Sequence, residues 1–321
     1  MSKIDVHTHF LPDSYVETLK RHGINWTGGV GMSAWTPQKH LAFMDEWGIQ
    51  VGVLSCLAET GMYFGDQQEA TELTRNVNDY GAEVVRAHPT RFGVFGALPL
   101  PSVDAALAEI DHIYDDLDLD GIYLVSNVAG TYVGDPSWEP VYAELDRRRA
   151  TVLLHPVEPR ETPDLPWQHW MAEYVFDTTR VFITLVFNGV LDRYPGINWI
   201  MSHGGGTVPY ISGRLAAAPR VNEQYREIGK RPMSDYLRSV YYDIAVADAP
   251  AMVNTMVDTV GADRMLFGTD WPYSHDVFDV PEPGEHDPVK LLGAELGARV
   301  ERSTALRLLP SVSRRLQDNV R

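Results

Sequence analysis

The chain has 321 residues, 44% hydrophobic and 22% charged, an ordinary balance for a globular protein and long enough to bury a large core. Its 44 acidic against 27 basic residues leave a net charge of −17, which opposes non-specific binding to nucleic acid or to an anionic membrane. The one cysteine, Cys56, excludes an intrachain disulfide and suits a reducing cytoplasm.

The first predicted element is a strand at 3–7, with no secretory signal before it. It runs through Asp5-Val6-His7-Thr8-His9. Strand side chains alternate with a period of two, so His7 and His9 project to the same side. Residues 12–36, rich in Gly and Trp, read as an insertion. A helix at 37–47 leads to a strand at 51–56, where no histidine flanks Cys56 and a core thiol is the reading. Helix 69–88, strand 92–98, helix 103–117, strand 121–125 and helix 138–148 follow. The next strand, 151–155, ends in His155-Pro156. Helix 177–194 holds the longest apolar stretch, far short of the ~20 residues that span a bilayer. Its opening Asp177-Thr178-Thr179-Arg180 reads as N-cap chemistry, with Arg180 as a group that can reach the site. Strand 198–202 ends in Ser202-His203-Gly204-Gly205-Gly206, and helix 208–215, strand 241–244 and helix 249–260 come next. Strand 264–267 runs into Gly268-Thr269-Asp270-Trp271-Pro272, and the tail carries Pro281-Glu282-Pro283-Gly284 before further helices.

Eight short apolar strands alternating with amphipathic helices predict an α/β fold, a single (β/α)8 TIM barrel with a small insertion after the first strand and C-terminal helices. An open doubly wound sheet is the alternative. No linker, repeat or low-complexity tract divides the chain, so residues 1–321 read as one domain. A barrel puts its chemistry at the C-terminal ends of its strands. Four of the eight predicted strands end in such residues: His7 and His9, then His155, His203 and Asp270. His7, His9, His155 and Asp270 offer three imidazole nitrogens and one carboxylate oxygen, a donor set for one divalent ion, zinc first and manganese or iron after it.

His203 reads as an acid/base or substrate-binding group beside that ion. The alternatives are a fifth ligand, a packing role, or a phosphate cradle in the glycines, against which stands the lack of a P-loop lysine. Blander accounts exist for His155, as a core histidine bonded to backbone, and for Asp270, as a turn cap. His22, His40, His88, His112, His169, His275 and His286 lack such a setting and read mostly as surface residues, with His275 near enough to line the mouth. Trp167, Trp170, Trp271 and Tyr273 fall in rim loops, where they either wall an aromatic pocket or pack the loops.

Asp5-Val6-His7-Thr8-His9-Phe10, Leu154-His155-Pro156, Ser202-His203-Gly204-Gly205-Gly206 and Phe267-Gly268-Thr269-Asp270-Trp271-Pro272 together resemble the amidohydrolase superfamily. The branch they look most like contains aminocarboxymuconate-semialdehyde, γ-resorcylate and 6-methylsalicylate decarboxylases. Leu41-Ala42-Phe43-Met44-Asp45 and Asp177-Thr178-Thr179-Arg180 look most like the 6-methylsalicylate group. The resemblance implies one metal on the four ligands and His203 as an acid/base. It also implies that Arg214, in Ile211-Ser212-Gly213-Arg214-Leu215, holds a substrate carboxylate in a neighbouring subunit, and hence a homodimer or higher homo-oligomer. The muconate-semialdehyde enzymes carry an arginine near the helix that begins at Trp35-Thr36-Pro37, where this chain has Lys39 and His40. An aromatic monocarboxylic acid is therefore the better-fitting substrate.

The function implied is non-oxidative decarboxylation of an ortho-hydroxybenzoate of the salicylate type, in the cytoplasm. Asp270 is the expected proton donor to the ring and His203 the group that positions the substrate. Hydroxide attack with His203 as base is a second route. Hydrolysis of a lactone or amide, with Asp270 as base, is the alternative activity. A barrel that binds metal without catalysis is the reading outside enzymes.

Overall fold

Eight parallel strands hydrogen-bond to one another in the order the chain makes them. They are β1 (Lys3–Phe10), β2 (Ile49–Cys56), β3 (Phe92–Ala97), β4 (Gly121–Val125), β5 (Thr151–His155), β6 (Asn198–Met201), β7 (Tyr241–Asp243) and β8 (Met265–Leu266). The structure, a computed structural model, describes residues 3–27, 30–32, 34–57, 59–159, 166–228, 230–274 and 288–318. The segment after β8 returns to β1: Val6 N–H donates to Phe267 O at 3.0 Å and His9 N–H to Trp271 O at 2.8 Å. That pairing joins the last strand to the first and makes the sheet a barrel, as the alternation of elements predicts.

One helix or more connects each strand to the next: α1 (Pro37–Glu46), α2 (Gln67–Ala87), α3 (Val103–Asp111), α4 (Glu139–Arg148), α5 (Glu173–Phe187), α6 (Val208–Val221) and α7 (Pro250–Thr259). The first three start at short polar side chains that accept orphan N–H groups. Thr36 caps α1 through Lys39 N–H at 3.2 Å, Asp66 caps α2 through Glu69 N–H at 2.8 Å, and Ser102 caps α3 through Ala105 N–H at 3.3 Å. Short helices after β8, Pro288–Ala298, Thr304–Leu308 and Pro310–Asp318, form the C-terminal group. No helix among the described residues is long and apolar enough to cross a membrane.

In β1 the outward row packs on the helices and the inward row lines the barrel. Phe10 stacks on Tyr80 of α2, and Thr8 Oγ1 meets His40 Nε2 of α1 at 3.0 Å. Asp5, His7 and His9 form the inward row, all fully buried. The packing departs from several readings of the sequence. His40 is a core residue, not a surface one: it is fully buried, and its Nδ1 accepts Trp35 Nε1–H at 3.1 Å. Burial, with His9 nearby, pulls its pKa down to about 3. Asp177 is not an N-cap, because α5 begins at Glu173 and Asp177 lies in its second turn, fully buried. There it accepts from Ser126 Oγ and Tyr132 OH, and Arg180 is drawn to it at 3.3 Å instead of to the site. The predicted helix 177–194 is two, α5 and Val190–Arg193, parted by Gly189 at φ +71°. The predicted insertion, 12–36, contains a helix, Asp13–Arg21, and a two-stranded ribbon, Trp26–Thr27 with Val30–Gly31. Cys56 is a buried free thiol, pushed up by burial, as a core residue should be. The expectations for His275, His286 and the 281–284 segment lie outside the described residues.

The His203–Gly206 turn shows why the glycines are there. Four successive residues hold positive φ, from +53° at His203 through +65° and +74° to +64° at Gly206. A Cβ on Gly205 would lie 2.6 Å from the Tyr242 ring, and one on Gly206 would lie 2.1 Å from Val175 O. Close packing of the turn on β7 and α5, not a phosphate, accounts for them. Gly206→Ala is expected to lower unfolding stability by at least ~1–3 kcal/mol in urea titration, from left-handed strain plus a backbone clash. An unchanged midpoint would refute this account of the turn.

Candidate metal centre

The C-terminal ends of β1, β5 and β8 converge on one point. His7, His9, His155 and Asp270 each present a ligand atom there, all within 4.8 Å of one another. His7 Nε2 lies 3.2 Å from His9 Nε2, and Asp270 Oδ1 lies 2.9 Å from His9 Nε2 and 3.4 Å from His7 Nε2. His203, at the end of β6, places its Nε2 3.4 Å from Asp270 Oδ2.

The outer ring nitrogens explain the inner ones. His7 Nδ1 faces Asp243 Oδ2 at 2.9 Å, His9 Nδ1 faces the Ser55 carbonyl at 3.3 Å and its hydroxyl at 3.0 Å, and His155 Nδ1 faces Pro156 O at 2.8 Å. Carboxylate and carbonyl accept only, so each imidazole donates its Nδ1 proton outward. In their neutral forms the three rings then aim Nε2 lone pairs at the same place. His155 Nε2 is buried and has no hydrogen-bond partner among the described residues. Lone pairs crowded together without donors repel one another; a cation between them turns the repulsion into coordination. The residues thus fit a single divalent ion, with oriented outer partners of the kind metal-bound histidines keep.

Electrostatics make the same demand. Burial works against a charge on His7, yet Asp243 and Asp270 outweigh it and carry His7 up to about 10. Burial pulls His9 down, against Asp270, and pulls His155 well down with the help of His9 and His7. Burial also favours the neutral form of Asp270, but His7, His203 and His9 hold its carboxyl well below the usual range. The cluster therefore calls for positive charge, which a divalent ion supplies while displacing the His7 proton.

Hydrogen bonds between β1 and the segment after β8 lock the geometry. Asp5 Oδ1 accepts from His7 N–H at 3.0 Å and from Thr269 N–H at 3.1 Å, while its Oδ2 accepts from Thr269 Oγ1 at 2.6 Å. Asp270 N–H donates to His7 O at 2.7 Å, so Asp270 is anchored to the strand that carries two of its neighbours. Asp270 stands at φ +60°, a conformation that aspartate and histidine tolerate better than most residues. Burial raises the Asp5 carboxyl to about 7 despite its donors.

A cavity of about 260 Å³ opens on the cluster. His155, His203 and Asp270 form its polar end. Leu57, Val175, Val246 and Met252 make apolar wall, and Trp170, Tyr174 and Tyr273 add rings. Of the four rim aromatics singled out in the sequence, Trp170 and Tyr273 wall the cavity. Trp271 packs on His40 and Phe43, with ring centroids 4.3 and 5.3 Å away, and Trp167 is 45% exposed outside the lining. Arg214 is exposed on α6 and does not line this cavity. Sequence reasoning missed Asp243, which accepts from His7 and also from His203 N–H at 3.0 Å. Its signal was present: it is the one charged residue of the predicted strand 241–244, and it ends the observed β7.

A family model described as amidohydrolase matches residues 4–310. The chain is 30% identical to a decarboxylase, yanB, from Aspergillus niger over 97% of its own length and 88% of the relative's. It is also 30% identical to a 6-methylsalicylic acid decarboxylase from Penicillium expansum, covering 86% of this chain and 87% of that one. A crystal structure described as amidohydrolase II superposes with a TM-score of 0.85 at 31% identity, over 96% of this chain and 100% of the other.

Proposed function

The chain belongs to the amidohydrolase family, and from that premise we propose that it is a metal-dependent carboxy-lyase releasing CO2 from an ortho-hydroxybenzoate of the salicylate type. The observation that carries the reading is the cavity: ring-walled and apolar along its sides, and ending on His155, His203 and Asp270. A planar aromatic acid fits that division, with its polar edge toward the cluster and its ring among side chains.

When bound on His7, His9, His155 and Asp270, the divalent ion, for which zinc is our assignment, would supply Lewis-acid polarisation of the phenolic and carboxylate oxygens. The chain's own residues handle the proton. Asp270 Oδ1 faces His9 and His7, whereas Oδ2 faces His203. Held ionised, Asp270 accepts the ortho-hydroxyl proton at Oδ2 as the acid binds and returns it to the ring carbon bearing the carboxylate. The carbon–carbon bond then breaks with its electron pair restoring the aromatic ring. CO2 leaves, no aryl carbanion forms, and solvent reprotonates the phenolate. His203 orients the substrate and Oδ2 from the other side.

The same proposal covers residues 1–321 as one domain, a cytoplasmic location, and a homodimer in which the exposed Arg214 meets the substrate carboxylate of a neighbouring subunit. The test is CO2 release, matched by phenol formation, from a panel of salicylates with zinc-loaded protein. Dialysis against a chelator is expected to bring release to background, and zinc to restore it. Absence of CO2 from the whole panel, or ring-opened acid from lactones instead, would overturn the assignment.

A further inference from the structure

Among the described residues, Val246 is the one β-branched residue at positive φ, +54°. It takes the third position of a turn, 244–247, closed by Ala247 N–H to Ile244 O at 3.0 Å. Positive φ at that position ordinarily selects glycine or asparagine, because a branched Cβ crowds the backbone there. Core packing does not explain the choice, since Val246 is only partly buried. The turn is not a free loop either. Ala245 N–H donates to Asp243 Oδ1 at 3.1 Å, the same oxygen that accepts His203 N–H. Asp243 thus fixes the turn to the metal centre, and Val246 lines the cavity. Strain of this kind persists where the surroundings impose it, and it gathers at ligand sites.

Resting on the decarboxylase reading, the geometry points to Val246 as a specificity-determining residue that selects aryl acids carrying hydrogen or alkyl, not a second hydroxyl or carboxylate, at the ring position against it. Leu57, Val175 and Met252 are the cavity's other aliphatic lining residues, and no lysine or arginine among the described residues lines it. A ring hydroxyl placed there exchanges its water hydrogen bonds for carbon atoms, whereas an alkyl group leaves water for carbon. A strained valine makes sense as the cost of keeping that wall apolar where an unstrained asparagine would make it polar.

The experiment compares a 6-alkyl-2-hydroxybenzoate with 2,6-dihydroxybenzoate on zinc-loaded wild type, Val246→Asn and Val246→Gly. Asparagine relieves the backbone and offers an amide to the hydroxyl. It is expected to shift the ratio of kcat/KM toward the dihydroxy acid by about 10-fold or more, with Tm no lower than wild type. Glycine is expected to weaken discrimination through a higher KM for the alkyl acid. A ratio within about twofold of wild type in both variants overturns the inference, as does a lower Tm in both. Calorimetric affinities for the same acids separate this result from the broader reading. If wild type releases no CO2 yet binds the alkyl acid preferentially and Val246→Asn reverses that preference, the decarboxylase reading fails and the role of Val246 stands. If CO2 is released but neither rates nor affinities respond to the substitutions, Val246 is not the selector. If wild type neither releases CO2 nor prefers the alkyl acid in binding, both fail.

Discussion

Asp270→Asn is expected to release CO2 about 10³-fold more slowly than wild type while still holding its metal. The two carboxylate oxygens divide the work: Oδ1 lies 2.9 Å from His9 Nε2 on the ligand side, and Oδ2 lies 3.4 Å from His203 Nε2 on the other. Asparagine keeps one oxygen for the ligand side and replaces the proton-carrying atom with an amide nitrogen, which neither accepts the hydroxyl proton nor gives one to carbon. Metal analysis after gel filtration and single-turnover CO2 release, read on the same preparation, make the check. If the metal-bearing variant still turns over within about tenfold of wild type, another group moves the proton, and His203 is next in line.

The second large effect belongs to Asp243. Its Oδ2 accepts from His7 Nδ1 at 2.9 Å, and its Oδ1 accepts from the backbone N–H groups of His203 and Ala245 at 3.0 and 3.1 Å. Both oxygens face donors, so only a carboxylate satisfies the site. In Asp243→Asn the amide NH2 must face either His7 or those two N–H groups. Facing His7, it drives the ring to the other tautomer, with a proton on Nε2 aimed at the ligand cluster. Facing the backbone, it sets donor against donor where His203 and the 244–247 turn are held. The expected result is a 10–100-fold loss of metal affinity, measured by competition with a chromogenic chelator, with CO2 release falling in step at limiting zinc. Wild-type affinity in a folded Asp243→Asn protein would show that His7 does not depend on this partner.

These two residues mark how far the sequence could be read. Asp270 was legible because it follows an apolar strand in a turn-rich motif, and His7, His9 and His155 were legible for the same kind of reason. Strand ends are local features, and a barrel brings eight of them to one rim. Asp243 was just as local but was passed over, because a lone aspartate after Tyr241-Tyr242 has no motif around it. Its importance comes from His7, 236 residues earlier in the chain. His40 shows the opposite error. Nothing near it in sequence announces burial; Thr8, Trp35 and Trp271 enclose it only once β1 and α1 are packed. Asp177 was misplaced because Asp-Thr-Thr is good cap chemistry in isolation, and the preceding turn of α5 overrode it when Ser126 and Tyr132 gave the carboxylate buried donors.

By itself the sequence determined the order of strands and helices, the barrel they imply, and the four side chains that meet at its rim. Alternation with a period of two, helix caps and strand-end position are properties of short stretches, and short stretches are what a sequence displays. The tertiary structure alone decided which ring nitrogen each histidine turns inward, which carboxylate oxygen faces the cavity, and that a strained valine stands in its wall. Those depend on partners from distant strands and on a turn whose backbone angle no residue type announces. A lone pair's direction and a cavity's lining exist only after the ring of strands has closed.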